Sequence, residues 1–72
     1  MDRKSKEIHI EGDYITLGQL LKFARIIQNG GEAKSYLQTH TPKVNGEPEQ
    51  RRGRKLRVGD EIDFDGFLVR LV

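Results

Sequence analysis

At 72 residues the chain is long enough for one domain, and its 35% hydrophobic and 33% charged residues leave only a small supply of core side chains. It has no cysteine, which excludes disulfides and a cysteine-based zinc site. The formal net charge is only +2, and no apolar run approaches the roughly 18 residues that a membrane span needs.

Met1-Asp2-Arg3-Lys4-Ser5-Lys6 lacks the apolar stretch of a signal peptide, so a soluble cytoplasmic protein is expected, and the chain reads as complete from Met1. Residues 1–6 are read as a flexible tail ahead of a single domain over residues 7–72. Glu7-Ile8-His9-Ile10 alternates polar and apolar, as a short strand does. Glu11-Gly12-Asp13 is a turn. Thr16 and Gln19 fit a capping box. Behind them Leu17, Leu20, Leu21, Ala24 and Ile27 form the stripe of an amphipathic helix running to Asn29-Gly30-Gly31. Lys22 and Arg25, three apart, are expected on one exposed strip of that helix. Asn29 and Glu32 fit a second capping box, opening a helix whose buried face is Ala33, Tyr36 and Leu37. Pro42 ends it at His40-Thr41.

Lys43-Val44 reads as a strand leading into an Asn45-Gly46 tight turn. Val58-Gly59-Asp60 is a further turn. Glu61–Phe64 and Phe67–Val72 read as two strands joined by an Asp65-Gly66 hairpin. The expected fold class is α+β: two packed helices against a small antiparallel sheet.

The charge is concentrated. Residues 22–57 carry nine cations against Glu32, Glu47 and Glu49, whereas residues 58–72 carry Arg70 against Asp60, Glu61, Asp63 and Asp65. Five of the seven residues in Arg51-Arg52-Gly53-Arg54-Lys55-Leu56-Arg57 are cationic. Such crowding costs self-repulsion unless a polyanion meets it, and nucleic acid is the commonest one. Leu56 and Val58 are expected to point inward and make this an ordered segment.

The order of these motifs resembles the S4 RNA-binding domain over roughly Ile15 to Phe64. Ala33-Lys34 corresponds to an Ala-Arg pair on that family's second helix, Val44-Asn45-Gly46 to its Val-Asn-Gly turn, and Gly59-Asp60-Glu61-Ile62 to its Gly-Asp-x-Ile turn. Ile15-Thr16-Leu17-Gly18-Gln19 with Arg51-Arg52-Gly53-Arg54-Lys55-Leu56 looks closer still to the small stand-alone YaaA-type S4 proteins of bacteria. Two positions depart from the family pattern. A Ser-Arg pair is matched here by Asn29-Gly30, and the glycine ending the second helix is matched by His40, a residue that tolerates a left-handed backbone.

The resemblance implies an S4-like (alpha-L) fold in which Lys34 and the 51–57 segment border one concave strip. Lysine and arginine ends would meet phosphate oxygens there, and the free N–H groups around Gly30 and Gly31 would add to them. Structured RNA is held by backbone and shape in this way. Lys34, Arg51, Arg52, Arg54, Lys55 and Arg57 are the expected RNA contacts, with Lys22, Arg25 and Lys43 second.

His9 and His40 lack a partner at metal-ligand spacing, and Asp60, Glu61, Asp63 and Asp65 read as a solvated acidic face, with Asp63 and Asp65 sharing a strand side. No nucleophile–base pair or phosphate loop is visible, so a non-catalytic protein without cofactor or metal is expected. Its expected partner is structured RNA, ribosomal RNA or the ribosome included. The alternative is a protein-interaction adaptor in a ribosome-assembly or replication and repair complex; Phe23 and Ile26, partly off the helix's main stripe, are either covered by the N-terminal strand or, if exposed, its contact.

Overall fold

The computed structural model describes residues 4–72. Strand β1 spans Lys4–Ile8, β2 Ile15–Thr16, helix α1 Leu17–Phe23 and helix α2 Glu32–Thr39. Five strands follow: β3 Lys43–Val44, β4 Glu47–Pro48, β5 Lys55–Leu56, β6 Glu61–Phe64 and β7 Phe67–Leu71. The two expected helices and an α+β fold are present, but the sheet is larger than expected and mixed. Five strands lie in the order β1-β7-β6-β3-β4, and β2 pairs with β5 in a separate two-stranded sheet.

The surprise is β1. It runs parallel to β7 from Lys4 opposite Phe67 to Ile8 opposite Leu71. Lys4, Ser5 and Lys6, assigned to a tail for their polarity, are therefore strand residues on a sheet edge, where lysines are common. The rest of that segment, residues 1–3, lies outside the described residues. The hairpins are where the dipeptides put them. Asn45-Gly46 and Asp65-Gly66 both adopt positive φ at each central residue, the two-residue turn that matches strand twist.

Thr16 caps α1 as expected. Its hydroxyl accepts from the Gln19 N–H at 3.2 Å, and the Thr16 N–H donates to Gln19 Oε1 at 2.9 Å. All five stripe residues are buried, yet the helix stops at Phe23. Arg25 takes φ 60°, the Arg25 N–H donates to the Lys22 carbonyl, and the Ile26 N–H donates to the Leu21 carbonyl. This is a Schellman ending without its usual glycine. Ile26 and Ile27 then fold back on the core, which is why the apolar spacing outruns the helix. Lys22 and Arg25 consequently do not share a helical strip.

The cap of α2 also differs. Gly31 is the N-cap, and Glu32 accepts from the Asn29 side chain at 3.0 Å instead of from a backbone N–H of Asn29. The Glu32 and Ala33 N–H groups are already taken by the carbonyls of Asn29 and Gly30. His40 closes the helix in an extended conformation, not a left-handed one, with its ring stacked 4.5 Å from that of Tyr36.

The core joins Leu17, Leu20 and Leu21 of α1 and Ala33 and Leu37 of α2 to Val44, Leu56, Ile62, Phe64, Val69 and Leu71 of the strands. Fully burying each leucine contributes roughly 1.5–3 kcal/mol, enough for a few such residues to decide stability. Tyr36 and Phe67 are partly buried against it. Among the described residues, no helix is long and apolar enough to cross a membrane, and no group of histidines and acids is placed to hold a metal ion.

Candidate nucleic-acid interface

The basic segment is a built loop, docked by its own backbone. The carbonyls of Arg54 and Arg52 accept from the N–H groups of Leu17 and Gly18, at 2.9 Å each. These are first-turn donors of α1 that have no partner inside the helix. Gly18 sits at the junction, where a Cβ would lie 3.4 Å from the Arg52 carbonyl oxygen and 3.7 Å from the Ala33 Cβ. On the other flank the Gln50 amide donates to the Leu37 carbonyl and to Thr41, tying the loop to the end of α2.

Inside the loop lies Glu49, 8% exposed, a residue that charge counting passes over. Arg51 grips it with Nε and Nη2 at 3.0 Å each, Arg54 adds Nη1 at 2.8 Å, and the Gln50 and Arg51 N–H groups complete its partners. Led by the Arg51 hydrogen bond and against the opposing effect of burial, these donors hold the Glu49 carboxyl down to about 2 from an ordinary 4.5. Arg51 and Arg54 thus have an internal task. Arg51, which uses two of its five donors on Glu49, still projects to solvent. The signal for Glu49 was an acid with arginines two and five residues ahead.

Arg52 takes the central position. It lines one shallow groove with Lys34, Leu37, Gln38 and Gln50, and another with Lys22, Gly30 and Ala33. Lys34 and Lys22 therefore flank the same arginine from the two helices, and Gly30, where a Cβ would meet no atom within 4 Å, lines the second groove with it. Arg52, Lys34 and Lys22 are exposed, and none of them makes an ion pair among the described residues.

Lys55 and Arg57 lie further along, on β5 and just beyond it, with Lys55 over the ring of Tyr14. Val58 does not point inward: it is 64% exposed. Residues 57–60 form a turn in which the Asp60 N–H donates to the Arg57 carbonyl, and Gly59 at φ 98° sends the chain back, leaving Val58 on the outside corner. Leu56 alone anchors the segment to the core.

Two expected residues lie elsewhere. Lys43 sits on β3 opposite Asp63 and lines a groove with Asn45, Glu61 and Asp63. Arg25 is the exposed left-handed residue at the end of α1. The acidic residues are largely occupied in structure. Asp60 accepts from the Asn45 side chain and the Arg57 N–H, Glu61 binds Arg70 at 2.6 Å, and Asp63 accepts from the Gly66 N–H. Asp65 lies in the hairpin turn, so it does not share a strand side with Asp63. Asn45 also accepts from the Glu61 N–H, so Val44-Asn45-Gly46 and Gly59-Asp60-Glu61-Ile62 are two halves of one clamp.

Comparison with known proteins agrees with this architecture. The protein of Bacillus subtilis (strain 168) named "Probable ribosome maturation protein RlbA" is 55% identical over 60 residues, covering 83% of this chain and 84% of that protein. The family model described as "S4 domain" matches residues 8–72, which take in both helices, the clamp and the docked basic loop. On that match and that identity, the chain belongs to the S4 domain family.

Proposed function

We propose that this chain is a non-catalytic RNA-binding protein that holds structured, ribosomal RNA through phosphate contacts and acts in ribosome maturation. The observation that carries the reading is the position of Arg52, shared by two grooves with Lys34 on α2 and Lys22 on α1. Three cations from three segments, none of them in an ion pair among the described residues, border the shared arginine, and phosphate oxygens complement them. Membership of the S4 family and the name of the Bacillus subtilis relative, a probable ribosome maturation protein, support the same reading. In it, the helix pair with its docked loop is the alpha-L unit, and the site of action is the cytoplasm.

The contacts are Arg52, Lys34, Lys55 and Arg57, joined by Lys22 and the outward donors of Arg51 and Arg54. Arg25 and Lys43 are left out, because neither lines the grooves around Arg52 and neither belongs to the basic segment 51–57. With about four phosphates neutralised, the log–log dependence of affinity on salt has a slope of roughly −3. Replacing Lys34→Glu and Arg52→Glu together reduces that slope by about 1.5 and weakens binding at least tenfold, while leaving Glu49 and its partners intact. Filter binding of a ribosomal RNA fragment across a salt series measures both. Affinity indifferent to salt, or untouched by the double substitution, sinks the reading. A protein-contact role rests on one observation, the 63% exposure of Phe23, and ranks second.

A further inference from the structure

The outer face of the two-stranded sheet carries chemistry that phosphate binding leaves unused. Ile15 lies opposite Leu56 and Thr16 opposite Lys55. Ile15 and Leu56 are buried, so the alternation of a strand turns their neighbours outward. Tyr14 and Lys55 are both exposed, and the Lys55 ammonium stands 4.9 Å from the centre of the Tyr14 ring. Arg57, also exposed, follows Leu56 just beyond the paired residues. A tyrosine that contributes little to the core, 43% exposed, thus has one cation of the basic segment at its ring and another at the end of the same strand.

The surroundings narrow the occupant. Tyr14 lines a shallow groove with Phe23, Gln19 and Glu11. A phosphate is drawn to Lys55, beside Tyr14 at the edge of the groove, and repelled by Glu11 within it, whereas a neutral flat group is accepted along the aromatic floor. A nucleotide has this polarity: an anionic phosphate joined to a π-faced base. Bases inside a duplex are already stacked on both sides and have no face to offer, so the fitting base is an unpaired one. A protein segment would need a carboxylate at the cationic end and apolar side chains beyond, and nothing on this face selects that over RNA.

We propose that Tyr14, beside Lys55, is a stacking site for one unpaired nucleotide of the bound RNA. This rests on the RNA-binding reading above and extends it: phosphate contacts position the protein, and Tyr14 favours RNA in which a base stands outside the duplex beside the docked loop.

The test uses the full chain and three RNAs at fixed low salt: a blunt duplex, the same duplex with a short single-stranded overhang containing 2-aminopurine, and the same overhang made abasic. The last two carry equal phosphate. The overhang with bases is expected to bind about tenfold tighter than its abasic twin, the size of one base–aromatic stack. Its fluorescence should be quenched on binding. Tyr14→Ser removes the difference and the quenching but leaves the blunt duplex affinity and its salt slope unchanged, whereas Tyr14→Phe keeps both. Equal binding of the two overhangs, or a difference that survives Tyr14→Ser, overturns the stacking site while the phosphate reading stands. Failure to bind any of the three RNAs overturns both. Loss of a ribosome-assembly protein contact in Tyr14→Ser, with the two overhangs bound alike, assigns the groove to protein and overturns the stacking site too.

Discussion

Glu49 sits in the most basic part of the chain with its carboxylate almost out of water, and five hydrogen bonds from Arg51, Arg54 and Gln50 converge on it. Simple electrostatics says that removing a negative charge beside a phosphate site should tighten binding. The geometry says the opposite. Glu49→Gln removes the charge and turns one of the two acceptor oxygens that Arg51 and Arg54 share into an NH2 donor, so the loop loses its shape. We expect a loss of about 2 kcal/mol in urea unfolding, the scale of hydrogen bonds to a buried charge, together with weaker RNA binding despite the extra net positive charge. The same carboxyl has a pH signature. Its folded value is lowered to about 2 from 4.5, so its stabilisation is complete above about pH 4.5 and is lost as pH falls toward 2. Melting curves across that range should show a steeper acid decline for the natural chain than for Glu49→Gln, with the two converging at the acid end. This residue was hard to find in the sequence because a run of cations draws attention to what it binds outside. That an acid binds the run from inside depends on burial, which the loop's return past Pro42 creates.

At the scale of single elements, the sequence is most legible where one or two residues decide the backbone. Thr16 with Gln19, Asn45-Gly46 and Asp65-Gly66 each satisfy a local hydrogen-bonding or φ requirement, and each was readable without knowing anything distant. The end of α1 was not. Ala24 and Ile27 continue the helical spacing, and no glycine marks the stop, yet the chain turns at Arg25 in a left-handed conformation that a Cβ disfavours. The turn is imposed from outside the helix, because Ile26 and Ile27 find their burial by folding back toward Leu21. Arg25→Gly should therefore stabilise the protein by about 1 kcal/mol in urea unfolding, since glycine meets this φ without strain. RNA affinity should stay within about twofold, because Arg25 lines neither groove around Arg52. A large loss of affinity in this variant would return Arg25 to the interface.

Across the whole molecule, what escaped the sequence was long-range pairing. A polar start such as Lys4-Ser5-Lys6 has no local reason to be a strand; it becomes one because β7, some sixty residues later, has an open edge and a matching register. Deleting residues 1–6 should lower the urea midpoint and the melting temperature measurably, whereas removal of a mere tail would change neither. The candidate interface was half legible for the same reason. The identity of the cations was plain, but which of them face one surface depended on where the loop docks. That docking has a thermodynamic consequence. The Arg52 and Arg54 carbonyls are the end cap of α1, so the first turn of the helix and the loop form a single cooperative unit. A ligand that immobilises the loop draws its binding free energy partly as helix stability, and any event that frays the Leu17–Gly18 turn lowers affinity at loop cations that lie outside the helix. In this small fold, order in the helix and occupancy of the loop are two readings of one equilibrium.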